Sequence, residues 1–180
     1  GDGQADLENH GGEHKAVYAY SLEHYAYFRD ALGRGEMPFG QFGENLTVSG
    51  LDETRTYLGA HVRIGSAEFA ITQPRVPCFK LGLRFGDRKV PKLFSRSLRM
   101  GYYLKVLREG VLQAGDDVEV AQRGHGEVRI DELYEALIRP KGKDVTAVLA
   151  RALEVAELSP EWHVAIQERL GGGRPAEARP

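Results

Sequence analysis

The chain has 180 residues, 42% of them hydrophobic and 28% charged, with a formal net charge of −2. This composition is typical of a globular protein in water, and no apolar run approaches the roughly 20 residues of a membrane span, so we expect neither a membrane helix nor a signal peptide. A single cysteine excludes an intramolecular disulfide and a zinc site built from several thiolates, and it predicts a reducing, cytoplasmic location.

The first two thirds of the chain predict short strands separated by glycine turns. Residues 1–16 are polar and predict a loop, and residues 21–35 predict a helix with Ser21 as N-cap and Gly33 just beyond its end. The predicted strands are 17–20, 44–48, 61–65, 67–72, 101–110 and 116–121, the last two joined by a turn at Ala114 and Gly115. Many short strands and few helices predict a mainly β fold, a barrel or a sandwich.

After residue 122 the apolar residues recur with a period near 3.6, which predicts three short amphipathic helices. The first carries Ile130, Leu133 and Leu137 on one face, and the second follows Asp144 as N-cap. The third begins at Ser159, with a proline at its first helical position. We therefore expect a β domain at 1–124, a three-helix domain at 125–170 and a disordered tail at 171–180.

Cys78 lies in the stretch QPRVPCFK, three residues after Arg75 and two before Lys80. Cations close to a thiol favour the thiolate, which acts as a nucleophile, a persulfide carrier or a soft metal ligand. The alternative is a small buried apolar side chain, which is the common fate of a lone cysteine. The residues alone leave both interpretations open.

Positive charge is concentrated around this cysteine. Ten basic residues and one acid, Asp87, lie between Arg75 and Arg108, so this segment carries +9 and the remainder of the chain must carry −11. Such segregation favours an anionic ligand near the middle of the sequence, although a solvated basic face is the simpler alternative. The net charge of −2 argues against nucleic acid as the partner.

Two polar loops contain further candidates. His10 lies in NHGG, where glycines let backbone N–H groups approach a ligand, although a surface histidine is the commoner outcome. Asn45 ends the stretch GQFGEN, where its amide is suited either to forming a turn or to binding the edge of a heterocycle.

Taken in order, five segments resemble the MOSC proteins, named after the molybdenum-cofactor sulfurase C-terminal domain. They are GDGQADLENHGG, KAVYAY with EHY, PFGQFGENLTVSGLDE, IGSAEFAITQPRVPC, and GYYLKVLREG with VLQAGD. The last part, ending in LSPEWHVAIQERL, is similar to the three-helix domain of the bacterial subgroup associated with resistance to 6-N-hydroxylaminopurine. The resemblance covers about residues 1 to 170.

The resemblance implies an antiparallel β-barrel of the MOSC type that binds a molybdenum cofactor. It implies that Cys78 is the thiolate ligand of molybdenum and that Arg75 and Asn45 lie near the pterin and its phosphate. His10 and Lys15 are expected as pocket residues, with His10 as a proton donor. Family members carry residues before GDGQADL that form early barrel strands, so we expect those strands to be missing here.

From these observations we expect a molybdenum-dependent reductase of N-hydroxylated compounds such as N-hydroxylated purine bases. Arg99, from the basic segment, is added as a cofactor-binding candidate. Electrons are expected from an external flavoprotein, because the chain has no flavin, nicotinamide or iron–sulfur motif of its own. The sequence leaves open whether the protein forms a homodimer. The alternative is a carrier without turnover, in which Cys78 holds a persulfide or binds the cofactor for delivery.

Overall fold

The computed structural model describes residues 11–140 and 145–172, in which strands and helices alternate along the chain. The strands are β1 (Val17–Ser21), β2 (Leu46–Val48), β3 (His61–Ile64), β4 (Ala67–Pro74), β5 (Tyr102–Arg108) and β6 (Val118–Gln122). The α-helices are α1 (Glu23–Ala31), α2 (Phe79–Phe85), α3 (Val90–Ser97), α4 (Ile130–Ile138), α5 (Thr146–Leu153) and α6 (Pro160–Leu170). All six predicted strands are present, and every bound lies within two residues of its prediction.

The strands form one mixed, curled sheet in the order β2-β1-β5-β4-β3-β6. The pair β1–β2 is parallel because helix α1 crosses over between these two strands, whereas the other pairs are antiparallel. Strands β2 and β6 are the edges and do not pair with each other within the described ranges, so the sheet is an open half-barrel. The prediction of an antiparallel barrel is therefore only partly right.

The prediction of a mainly β fold with few helices also needs correction. Helix accounts for 37% and strand for 22% of the structure. The excess comes from α2 and α3, which lie in the basic segment where we predicted no helix. Both are short: α2 ends at Gly86, whose φ of 64° is left-handed, and α3 buries only Val90 and Phe94. In α2 the large apolar residues stand at every second position from Phe79 to Phe85, a spacing typical of a strand and not of a helix.

The helix ends were predicted with mixed success. Gly33, with φ of 59°, follows the end of α1, and the hydroxyl of Ser159 accepts a hydrogen bond from the N–H of Trp162 at 3.3 Å, so both predictions are confirmed. Ser21 is instead the last residue of β1, and its hydroxyl donates to the carboxylate of Glu23. Asp144 lies outside the described residues.

Helices α4 to α6 pack into the same hydrophobic cluster as the sheet. Backbone hydrogen bonds join the two parts, from Leu58 N–H to the carbonyl of Val128 at 2.9 Å and from Ile130 N–H to the carbonyl of Thr56 at 3.0 Å. In this cluster the ring of Phe42 lies 4.4 Å from that of Tyr20 and 5.7 Å from that of Phe94, measured between centroids. This packing fixes the loop that precedes β2.

The long connection from β5 to β6 does not form a hairpin. The predicted turn at Ala114 and Gly115 is present, but β5 pairs with β1 and β4, and β6 pairs with β3. Across residues 11–140 and 145–172, no helix has both the length and the apolar character needed to cross a membrane.

Candidate functional site

A cavity of about 350 Å³ opens between β1, β5, the loop before β2 and the N-terminal end of α2. It is lined by Lys15, Tyr18, Phe42, Gly43, Asn45, Arg75, Cys78, Lys80, Leu81, Arg84 and Tyr103. Four of these side chains are cationic and none is a carboxylate. Four predicted site residues, Lys15, Asn45, Arg75 and Cys78, thus come together although 63 positions separate the first from the last.

Arg75 forms the floor of this cavity directly after β4. Its backbone N–H donates to the carbonyl of Gly101 at 3.1 Å, and its guanidinium carbon lies 4.7 Å from the ring centroid of Tyr18 and 5.4 Å from that of Phe94. The residue is 9% exposed, and its Nη1 is buried without a hydrogen-bond partner in the described part of the chain. An unsatisfied buried donor costs about 1–3 kcal/mol, so this N–H is suited to an acceptor supplied by a ligand.

Neighbouring side chains stabilise the positively charged form of Arg75. Burial by itself lowers the pKa of this guanidinium, but the adjacent Tyr18, Tyr103 and Cys78 outweigh burial and raise its pKa above the ordinary value. The side chain therefore keeps its positive charge inside the protein at every physiological pH. A buried and permanent cation at a cavity floor favours an anionic ligand.

Cys78 is the N-cap residue of α2, with φ −116° and ψ 173°. Its thiol is free and half-buried, and it lines the same cavity as Arg75. Pro74, the last residue of β4, and Pro77 precede this cysteine, and each restricts the backbone. The thiol is therefore accessible from the cavity, in contrast to the buried apolar filler that was one of the two predicted alternatives.

The oxygen of the Asn45 side-chain amide is hydrogen-bonded within the protein. Its Oδ1 accepts from the N–H of Tyr18 at 2.8 Å, and its own N–H donates to the carbonyl of Tyr18 at 2.9 Å. Only the oxygen of an amide can accept, so the NH₂ group lies on the opposite side from the Tyr18 N–H. Asn45 thus joins the loop to β1, and its NH₂ is the part suited to a ligand.

Glu44, which was not a predicted site residue, holds the same loop through hydrogen bonds. Its buried carboxylate accepts from the N–H groups of Gly40 at 3.1 Å and Phe42 at 3.0 Å, and from the hydroxyls of Tyr25 and Thr47. The sequence signal was an acid between glycines and an asparagine, where a carboxylate can collect the N–H groups of a tight turn. Glu44 therefore sets the shape of the wall formed by residues 42–45.

Lys80 and Arg84 were also not among the predicted site residues. They are four positions apart on α2, so both lie on one helix face, and that face lines the cavity. The spacing becomes informative only after this segment is known to be a helix. Lys15, at the end of a 3₁₀ turn (Glu13–Lys15), lines the opposite wall, and its ammonium is paired with the carboxylate of Glu161 from α6.

One predicted residue, Arg99, lies away from this cavity. The guanidinium carbon of Arg99 lies 4.2 Å from the ring centroid of Tyr27, its Nη1 donates to the carbonyl of Ser97 at 3.1 Å, and the residue does not line the cavity. His10 lies outside the described residues, so its role as a proton donor stays a prediction.

A second cavity, of about 380 Å³, lies between β3, β4, β6 and the loop before β3. Its lining includes the apolar side chains of Ala60, Val62 and Ile71, and it contains none of the predicted site residues. One of its cations, Arg123, is already stacked over the ring of Tyr57, with its guanidinium carbon 4.1 Å from the centroid. The cation-lined cavity at Cys78 is therefore the candidate site.

Within the described ranges, no group of three or more histidine, cysteine, aspartate or glutamate side chains is placed to hold a metal ion. The four cations that line the cavity favour an anionic ligand.

Comparison with known proteins identifies the family. A model of the MOSC domain matches residues 6–119. This chain belongs to the MOSC family. The match covers strands β1 to β5 and the cavity, and it ends within β6.

Relatives of this MOSC protein share its sequence, and one solved structure also shares its fold. The Bacillus subtilis (strain 168) protein YflK is 36% identical over 177 residues, covering 98% of this chain and 79% of YflK. The crystal structure of YiiM from Geobacillus stearothermophilus superimposes with a TM-score of 0.83 and 34% identity, covering 89% of this chain and 80% of that one. A Gibberella moniliformis (strain M3125 / FGSC 7600) protein named reductase is 30% identical over 122 residues, 63% of this chain and 21% of the reductase. The predicted MOSC family is therefore confirmed.

Proposed function

We propose that this MOSC protein binds a molybdenum cofactor in the Cys78 cavity and uses it to reduce N-hydroxylated compounds such as N-hydroxylated purine bases. The observation that carries the proposal is the buried, charged guanidinium of Arg75, whose Nη1 has no partner among the described residues, in the same cavity as a free and half-buried thiol. Together they suit a ligand that carries an anionic group and a soft metal.

The lining of the cavity fits this cofactor part by part. Arg75, Lys80 and Arg84 offer charge-assisted hydrogen bonds to a phosphate, and the NH₂ group of Asn45 offers a donor to the edge of a pterin. The Cys78 thiolate is a soft ligand of the kind that second- and third-row metals accept. The volume of about 350 Å³ is within the usual range of small-molecule sites.

The reaction is a two-electron reduction. An N-hydroxylated substrate R–NHOH takes up two electrons and two protons, its N–O bond breaks, and it leaves as R–NH₂ with one water. When bound, the cofactor supplies the two-electron redox chemistry for this cleavage. Arg75, Lys80 and Arg84 would hold the anionic cofactor, and the rings of Tyr18, Phe42 and Tyr103 line the same cavity. The electrons come from an external flavoprotein.

One comparison supports a reductase. One MOSC relative carries the name reductase, although this chain spans only 21% of it. The free, half-buried thiol at Cys78 suits a metal ligand but also suits a persulfide, which favours the carrier as the second candidate.

The test measures cofactor content and turnover in matched variants. Protein produced in cells that make the cofactor is analysed for molybdenum by mass spectrometry and assayed for N-hydroxylated purine reduction with a chemical electron donor. We expect Cys78→Ala to lose both, and Arg75→Met to retain at most about a tenth of the molybdenum, since an interaction of 1.4 kcal/mol corresponds to tenfold. Arg96→Met, an exposed arginine on α3, is the control and should match the unaltered protein.

The outcomes separate the two functions. Unchanged molybdenum and unchanged reduction in Cys78→Ala would show that this cysteine is not the metal ligand. A persulfide on Cys78 in protein that contains no molybdenum would favour the carrier and reject the reductase.

A further inference from the structure

Helix α2 presents an exposed apolar pair beside the candidate site. Phe79 is 56% exposed and Leu83 is 72% exposed, and the spacing of four residues places both on one face of the helix. The opposite face of the helix packs against the core, where Leu81 and Phe85 are buried. Adjacent large apolar side chains left in water are a feature of interaction surfaces.

The surroundings of this pair are strongly positive. From Phe79 to Ser97 the chain has six basic residues and one acid, so the segment carries +5 and the remainder of the chain must carry −7. The basic residues are Lys80, Arg84, Arg88, Lys89, Lys92 and Arg96, and all of them are exposed. The matching surface on a partner therefore has an apolar centre and an acidic rim.

The apolar pair lies next to the redox site. Phe79 follows Cys78 directly, and Lys80 and Arg84 of the same helix line the cavity. A helix with its side chains is about 10 Å across, so a protein docked on the outer face of α2 would be separated from the cavity by the thickness of one helix. Electron transfer between a docked protein and the site needs this kind of proximity.

We propose that the face of α2 formed by Phe79 and Leu83 docks an acidic flavin-containing electron-transfer protein. The identity of this partner rests on the proposed function, which needs two electrons for each N–O bond cleaved. A reduced flavin gives up these two electrons and returns to its oxidised form, while two protons from solvent complete the product and the water. Phe79 and Leu83 bury against the partner, and the surrounding cations steer the encounter.

The test uses an acidic flavodoxin carrying FMN as the probe, with the full chain in its cofactor-loaded form. Direct binding is measured by calorimetry at low ionic strength and at about 0.15 M salt, where charges farther apart than about 8 Å are screened. Reduction of an N-hydroxylated purine is measured with reduced flavodoxin and, separately, with a small chemical donor.

The variants separate docking from chemistry. We expect Phe79→Ser with Leu83→Ser to weaken flavodoxin binding at least tenfold and to raise the KM for flavodoxin, with an unchanged rate from the chemical donor. Arg88→Glu with Lys89→Glu should weaken binding more at low salt than at about 0.15 M. Val111→Ser, an apolar residue that is 80% exposed away from this helix, is the control and should bind normally. Thermal unfolding confirms that each variant is folded.

Three outcomes would overturn the proposal. The first is that flavodoxin does not bind the unaltered chain, and the second is that the double serine variant binds it equally well. The third is that the unaltered chain self-associates and the double serine variant loses this self-association but still binds flavodoxin. If the chemical donor supports no reduction, the proposed function fails. Flavodoxin binding that is lost in the serine variant would still support the docking surface.

Discussion

The buried carboxylate of Glu53 hydrogen-bonds Nε2 of the buried His24 at 2.5 Å. The other carboxylate oxygen of Glu53 accepts from the N–H of Gly101, and the carbonyl of Gly101 in turn accepts from the N–H of Arg75 at 3.1 Å. One buried acid therefore connects helix α1, the start of β5 and the floor of the candidate site.

Glu53→Ala should lower the free energy of unfolding by about 3–5 kcal/mol, because it leaves His24 without its partner and the Gly101 N–H without an acceptor. Urea denaturation measures the change. Glu68→Ala, which removes a carboxylate from the more exposed pairs with Arg63 and Arg108, should cost less than about 1 kcal/mol. Equal costs for the two variants would contradict the central role of Glu53.

Glu44→Gln should cost about 1–3 kcal/mol, since an amide cannot accept all the hydrogen bonds that the carboxylate of Glu44 collects from the loop and from Tyr25. Hydrogen exchange at the N–H of Phe42 should become faster than in the unaltered protein. Glu36→Gln, an exposed acid in the same connection, should change stability by no more than about 0.5 kcal/mol. Unaltered exchange at Phe42 would show that Glu44 does not hold the loop.

Gly101→Ala and Gly86→Ala form a matched pair that separates backbone strain from crowding. Both glycines have left-handed φ values, 71° and 64°, so both substitutions should cost about 1–2 kcal/mol in backbone strain. A Cβ at Gly86 meets nothing within 4 Å, whereas a Cβ at Gly101 would lie 2.4 Å from the carbonyl oxygen of Ala19. Thermal or urea unfolding should therefore show that Gly101→Ala lowers the free energy of unfolding by about 1–3 kcal/mol more than Gly86→Ala does. Similar losses for both would reject the crowding.

Glu161→Gln should strengthen the binding of small anions at the candidate site. Glu161 is 64% exposed and pairs with the ammonium of Lys15, so it competes with any anion that this lysine serves. An exposed ion pair contributes at most about 1 kcal/mol, which corresponds to about a fivefold change in affinity. Titration with inorganic phosphate at low salt measures this change, with Glu168→Gln on the same helix as the control. Weaker phosphate binding in Glu161→Gln would contradict the competition.

Glu23 should make the free energy of unfolding depend on pH in the acidic range. Burial raises the pKa of this carboxyl, but hydrogen bonds from the Ser21 hydroxyl and from the N–H of Gly50 at 2.7 Å outweigh burial and lower it below the ordinary value of 4.5. Because the folded pKa is the lower one, the stabilisation is present above the unfolded value and is lost as the pH falls through the folded value.

The difference in unfolding free energy between the unaltered protein and Glu23→Gln should therefore be largest near neutral pH. It should remain below about 1 kcal/mol because Glu23 is exposed, and it should shrink below about pH 4. Urea denaturation across this range measures it. A difference that grows towards low pH would contradict the lowered pKa.

Local patterns were sufficient for much of the chain. The six strands were predicted from short β-branched and aromatic runs, and the three C-terminal helices from their apolar period. The spacing of Arg75 and Cys78 left open both a thiolate site and a buried apolar side chain, and the resemblance to the MOSC proteins made Cys78 the expected site. Helix α2 was missed because its large apolar residues, from Phe79 to Phe85, alternate along the chain as in a strand. Helix α3 carries Val90 and Phe94 at helical spacing, and the prediction missed it.

The sequence by itself determined which local elements form, where positive charge is concentrated, and that Cys78 has a cation three residues before it. Only the tertiary structure decided that Lys15, Asn45 and Arg84 join Arg75 and Cys78 at one cavity, whereas Arg99 turns towards Tyr27. The physical reason is that periodicity and capping act over a few residues. The cavity depends instead on long-range pairing, through β1 with β5 and the loop of Asn45 with Tyr18, which no local pattern encodes.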